Sequence, residues 1–184
     1  MKGTDMAERE DNAFYYCLFC RTTYEKKIME DISRKQPELK STSLYKDKWK
    51  ITGGIRSTVK ENMLPGYVFI RSEQALEHGF FRGMANVIRL LGNPDMGYAL
   101  DEGNLKFAKW VFEYNGLIKT SLGYTVGGRV VITEGPLKDL EGSIEKVNKR
   151  RQVMLVNIGF DDKEIKVWLP FLYAREEEEG GSQN

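Results

Sequence analysis

The chain has 184 residues, with 28 Lys and Arg against 27 Asp and Glu, for a formal net charge of +1. Hydrophobic residues make up 41% and charged residues 30%, enough to build a core; the charge balance excludes a histone-like strongly basic protein but not local basic patches. No stretch approaches the ~20 apolar residues needed to span a bilayer, and residues 1–12 are polar and carry acids instead of the apolar core of a signal peptide, which points to the cytosol.

Phe14 to Cys20 is an aromatic, apolar run that reads as a buried strand. It contains a C-x-x-C, Cys17 and Cys20, but no second pair, and His78 is the sole histidine, so a four-ligand zinc site lacks its ligands. Spaced three apart on a strand, the two cysteines face opposite sides and read as small core residues. With no G-x-S-x-G, Walker loop or G-x-G-x-x-G, no catalytic, cofactor-binding or metal-ligating residue is expected, and the chain is not expected to be an enzyme.

Thr22 and Glu25 match a capping box, followed by a helix with Tyr24, Ile28, Met29 and Ile32 on one face and an end before Pro37. From Ser43 to Ile51 the residues alternate, with Leu44, Lys46, Lys48 and Lys50 on one side and Tyr45, Trp49 and Ile51 on the other. With the turn Thr52-Gly53-Gly54, Tyr45 to Lys60 reads as a hairpin or extended loop rich in Lys and Arg. Pro65-Gly66 punctuates the entry to a short buried strand ending at Ile70. Leu76, Phe80, Phe81 and Met84 are spaced for a second helix, and Val87–Leu91 is a strand stopped by Gly92-Asn93-Pro94. Asp101 then caps a third helix with Leu105, Ala108, Val111 and Phe112 inward, and Gly116 closes it.

Beyond Leu117 the helical period disappears. Lys119 to Gly123 looks like a short linker, and Arg129–Thr133, Gly142–Asn148, Gln152–Ile158 and Glu164–Leu169 read as four strands of a small barrel that closes to hide its edges. Glu176–Glu179 and Gly180-Gly181-Ser182 read as an acidic, disordered tail. The fold class expected is α+β, a mainly antiparallel sheet flanked by helices followed by a small SH3-like β-barrel.

Two segments carry a resemblance. Leu64-Pro65-Gly66-Tyr67-Val68-Phe69-Ile70 resembles the P-G-Y-V-x-V element of the NusG N-terminal domain. Gly127 to Gly142, GGRVVITEGPLKDLEG, resembles the KOW motif that heads the NusG C-terminal barrel. Their order and spacing, with Leu90-Leu91-Gly92 between, extend the likeness from about Ala13 to Ala174. The division this implies is a polar segment 1–12, an N-terminal domain 13–118 that binds RNA polymerase, a linker 119–124, a KOW barrel 125–174 and a tail 175–184.

The resemblance implies a transcription elongation factor whose N-terminal domain docks on the clamp helices of bacterial RNA polymerase. Carried over by position, Phe19, Leu64, Tyr67 and Phe69 are the docking residues, and the alternative for Phe19 and Phe69 is a core role. Lys46, Lys48, Lys50 and Arg56 lie on the hairpin that in the family faces upstream DNA; an edge strand protected by Lys is the other reading. Lys146, Lys149, Arg150 and Arg151 cluster at one end of the barrel as candidates for binding a nascent leader RNA hairpin, or as a charged turn kept for solubility.

Tyr15-Tyr16 and Met63-Leu64 ahead of the P-G-Y element depart from the general NusG pattern, and the basic turn is similar to that of specialised LoaP-type antiterminators, a resemblance that implies a cytoplasmic, nucleoid-associated monomer without a membrane partner. The alternatives are a general NusG elongation factor coupling polymerase to Rho or a ribosomal protein, and a ribosome-associated KOW protein. The β-branched residues of the barrel strands favour a barrel that does not switch to helix.

Overall fold

The computed structural model describes residues 12–77 and 79–174. His78 and the acidic run Glu176–Glu179 lie outside the described residues. In chain order the elements are β1 Phe14–Cys20, α1 Glu25–Lys35, β2 Lys40–Thr42, β3 Tyr45–Thr52, β4 Ile55–Asn62, β5 Tyr67–Ser72, β6 Val87–Leu90, α2 Glu102–Glu113, β7 Leu117–Ile118, β8 Ser121–Val126, β9 Arg129–Glu134, α3 Pro136–Asp139, β10 Ile144–Asn148, β11 Val153–Phe160 and β12 Lys163–Tyr173. The class is α+β. The chain gathers into two compact units, one of residues up to Ser43 with Gly66–Lys109, the other of Leu44–Pro65 with the residues from Trp110 on.

The first unit is built on a four-stranded sheet, β2-β5-β1-β6, antiparallel throughout. Tyr16, Leu18 and Cys20 of β1 and Val68 and Ile70 of β5 share one core with Ile28 and Ile32 of α1. The opposite face of β1, with Tyr15 and Cys17, is buried as well. A strand covered on both sides reads as an unbroken apolar run, which is why Phe14–Cys20 shows no alternation. Cys17 and Cys20 are free thiols, both buried, on opposite faces.

Two expectations in this unit are corrected. Helix α1 has no capping box: Tyr24 is its N-cap, with no side-chain cap hydrogen bond, and Tyr24 is exposed, not inward. Glu25 turns into the protein and accepts a hydrogen bond from the Gly66 backbone N–H at 2.6 Å. A buried backbone donor must find a partner, whereas the first turn of a helix can be satisfied by water. The helix expected over Leu76, Phe80, Phe81 and Met84 is absent among the described residues, which form turns there. Gly79 at φ +90 and Gly83 at φ +78 adopt left-handed conformations that interrupt a helix. All four apolar side chains still reach the core, with Phe81 buried and the others packed against it.

Helix α2 buries Ala108 and Val111 as expected, with Phe107 and Trp110 added; Leu105 and Phe112 are half-buried. Its end is closed at Gly116, φ +70, whose N–H donates to Val111 O at 2.8 Å, the long bond of a Schellman closure.

The second unit holds a three-stranded sheet, β4-β3-β7, and a five-stranded one, β10-β11-β12-β8-β9. Along β11, Met154, Val156, Ile158 and Phe160 point inward, and along β12 Val167, Leu169 and Phe171 do. Residues expected as a linker begin strand β8, which runs parallel to β12 with Phe171 opposite Ser121. Its small residues are there for contact. Ser121 is buried and its Oγ accepts from Leu137 N at 3.0 Å. A Cβ on Gly123 would meet Val131 O at 2.6 Å, so only glycine lets these backbones approach.

Candidate functional site

Phe19, Tyr67 and Phe69 share one face of the first unit's sheet. Phe19 of β1 stands opposite Tyr67 of β5, their ring centroids 5.0 Å apart at 50°, and Phe69 follows two residues on, hence on the same side. The Arg89 guanidinium lies 5.7 Å from the Phe19 ring centre, within cation–π range. The pair is set by the turn before β5. Gly66 at φ +88 leaves its missing Cβ 3.0 Å from both Cys20 O and Phe19 Cε2. Its N–H is taken by Glu25, and its carbonyl accepts from Cys20 N at 2.7 Å. Of the three rings Phe19 is half-buried, Tyr67 is buried, and Phe69 is wholly enclosed against Phe107 at 5.8 Å. Leu64 belongs to the second unit, buried, its N–H donating to Asn62 Oδ1 at 3.0 Å.

Burial pushes the Cys20 thiol up to about 11, helped by the negative charge of Glu25. The thiolate that nucleophilic or redox chemistry needs is therefore not the form present near neutral pH.

In the second unit the hairpin β3–β4 and the barrel turn meet. Strand pairing puts Lys46 opposite Glu61, and Glu61 engages two lysines, Lys46 Nζ at 3.0 Å and Lys48 Nζ. Those bonds, that from Lys48 first, hold the Glu61 carboxyl below the usual carboxylate range. Lys46 also donates to Trp168 O at 3.1 Å. Arg56 lies across the Trp49 ring, 3.9 Å from its centre, and donates to Gln152 Oε1 and, at 2.9 Å, to Arg151 O. Trp49 Nε1 donates to Gln152 O at 3.2 Å. The basic turn is itself ordered by Asn148, whose Oδ1 accepts from the Arg151 backbone N–H three residues on, at 2.9 Å. Lys149 reaches back to Gly128 O. Lys48, Lys50, Lys146, Arg150 and Arg151 are exposed.

The three lysines of β3 thus differ: Lys46 is nearly enclosed and neutralised, Lys48 is shared with Glu61, and Lys50 is at the surface. Glu25, read from the sequence only as a capping residue, has a different part here, and Glu61, Arg89, Asn148, Gln152 and Trp168 were not singled out by the sequence. For Trp168 a signal existed, since along β12 it follows exposed Glu164 and Lys166 in step while Val167 and Leu169 point inward. For the bond from Gly66 to Glu25 and for Gln152 none did: Glu25 accepts from a backbone N–H distant in sequence, and Gln152 accepts from the distant side chains of Arg56 and Trp49.

Residues 13–103 match the family model described as transcription termination factor nusG. The chain is similar to the transcription termination/antitermination protein NusG of Rickettsia typhi, 25% identical over 166 residues covering 85% of this chain and 86% of that protein. It is also similar to the protein of that name from Streptomyces virginiae, 26% identical over 182 residues covering 85% of this chain and 61% of that protein. A solved structure titled "Domain interaction in Thermotoga maritima NusG" aligns with a TM-score of 0.49 and 21% identity over 86% of this chain and 93% of that one. The matched segment, which contains the Pro65-Gly66-Tyr67 turn, and these relatives make the chain similar to the NusG family.

Proposed function

We propose that this chain is a specialised NusG-type transcription factor that docks on the clamp helices of RNA polymerase, suppresses pausing and promotes processive antitermination. The observation that carries the proposal is the Phe19–Tyr67 pair, seated by Glu25 and Gly66. Aromatic side chains held by their own unit lose little freedom on binding and make good anchors. Phe69, wholly enclosed, supports this face from beneath. Leu64 is assigned to the same docking function by its place in the P-G-Y element.

No bond is made or broken. Docking acts by preferring the closed clamp, and a ligand shifts an equilibrium only by its differential affinity for the two states. In this reading the turn carrying Lys149, Arg150 and Arg151, with Lys146, binds a nascent leader RNA hairpin and raises the local concentration of the factor at chosen operons. Lys48, Lys50 and Arg56 of the hairpin, with Lys46 behind them, face upstream DNA. Phe19→Ala, which leaves the sheet pairing in place, is expected to weaken binding to purified polymerase by about tenfold with an unchanged circular dichroism spectrum; undiminished binding would overturn the docking face. Lys149→Ala with Arg150→Ala and Arg151→Ala should abolish RNA binding and spare polymerase binding.

A second reading, the general elongation factor that couples polymerase to Rho or a ribosomal protein, is favoured by the names of the relatives, all termination/antitermination NusG proteins. Dependence on a leader sequence separates the two.

A further inference from the structure

We propose that the hairpin β3–β4 and the barrel turn together form a pocket for unpaired nucleotides of a single-stranded nucleic acid, with Trp168 as the stacking surface and Arg56, Arg150 and Arg151 as the phosphate contacts. The inference rests on the reading that the barrel turn binds nucleic acid, and it names what that site takes.

The groove between these elements has a volume of about 710 Å³ and is lined by Trp49, Trp168, Pro170 and Val153 together with the charged residues of both walls. That volume lies within the range of pockets that enclose a compact organic ligand. It suits one or two splayed nucleotides and not a duplex, whose bases face each other and whose exterior is phosphate.

Five cations line the groove, Lys46, Lys48, Arg56, Arg150 and Arg151, against two carboxylates, Asp47 and Glu61. Both carboxylates are engaged: Glu61 by the two lysines, and Asp47 by Thr120 N at 2.9 Å and Thr120 Oγ1 at 3.1 Å. The surplus charge is therefore that of the three arginines, the residues whose planar forks match phosphate. An apolar, aromatic floor under a basic rim is the arrangement that binds single strands, bases stacking inside and backbone tracking the cations. Trp168 is 41% exposed on the outward side of β12, where packing gives an indole no reason to be. Trp49 is already covered by Arg56 and bonded to Gln152 O, so Trp168 is the ring open to a base. Lys149 is not among the lining residues, its ammonium turned to Gly128 O.

The test uses the full chain and three labelled probes: oligouridylate, oligothymidylate, and a blunt RNA duplex of the same length, titrated by fluorescence anisotropy. Trp168→Ala is expected to weaken binding of the single strands about tenfold and leave the duplex within about twofold, while Trp168→Phe keeps single-strand affinity within about threefold by retaining a stacking face. Thermal midpoints of both variants control for folding. Tighter binding of the uridylate identifies nascent RNA as the source of the strand, and equal or tighter binding of the thymidylate identifies a displaced DNA strand. Unchanged single-strand affinity in Trp168→Ala, or a duplex bound more tightly than the single strands, would overturn the pocket. If Trp168→Ala is silent while replacing Lys149, Arg150 and Arg151 abolishes binding of a structured RNA, the pocket falls and the RNA reading stands. If the unmodified chain binds none of these nucleic acids, both fall.

Discussion

Glu25 shows how much of the first unit depends on one side chain. A carboxylate accepting a buried backbone N–H makes a charge-assisted hydrogen bond, and removing it leaves the Gly66 donor without a partner. Glu25→Ala is expected to destabilise the protein by roughly 1.5–3 kcal/mol, read as a lower urea midpoint, and to weaken polymerase binding because the Phe19–Tyr67 pair loses its seat. Gly66→Ala has a separate cost: φ +88 and a Cβ 3.0 Å from Cys20 O together oppose any side chain, so a loss of more than about 1 kcal/mol is expected. Cys20 has a pH consequence. Its folded-state pKa of about 11 stands above that of an ordinary thiol, so between those values the unfolded chain releases a proton that the folded one keeps, and stability falls as pH rises. In Cys20→Ala that part of the alkaline slope should vanish, as measured by urea midpoints across the range. At neutral pH the native thiol should resist alkylating reagents.

At the scale of elements, pattern and conformation separate. The hairpin was legible because alternation and Gly53-Gly54 agree with each other, and both glycines have the positive φ that a two-residue hairpin turn demands. The segment from Leu76 to Met84 kept its burial and lost its helix, because helical spacing records which residues go inward and not how the backbone takes them there. Strand β8 was hidden because Ser121 and Gly123 look like linker residues when nothing in the sequence tells them that Leu137 and Val131 press against them. The candidate residues followed the same division. The positions of Phe19 and Tyr67 were readable from strand register; the meeting of Arg56 and Trp49 with Gln152, which lies 96 and 103 positions further along the chain, was not. One prediction belongs here. Glu61→Gln frees Lys46 and Lys48 from their shared carboxylate, so nucleic-acid affinity should rise at low salt and its salt dependence steepen by roughly one charge. Because the Glu61 carboxyl is held low by those lysines, its contribution to the hairpin is present at neutral pH and is lost as pH falls through that lowered pKa.

For the molecule as a whole, the near balance of 28 cations and 27 acids conceals an uneven distribution. Between Tyr45 and Asn62 five cations, Lys46, Lys48, Lys50, Arg56 and Lys60, stand against Asp47 and Glu61, and the barrel adds its basic turn. The Phe19–Tyr67 pair lies in the first unit and the clustered cations lie in the second, and the proposed function gives polymerase to the pair and nucleic acid to the cations. The claim that joins them is leader-dependent antitermination. Its most direct measurement is readthrough of an intrinsic terminator by purified polymerase and this chain, on templates with and without the leader sequence. The account predicts readthrough that rises only where the leader is transcribed and is lost when Lys149, Arg150 and Arg151 are replaced; readthrough and pausing that this chain leaves unchanged on both templates would contradict it.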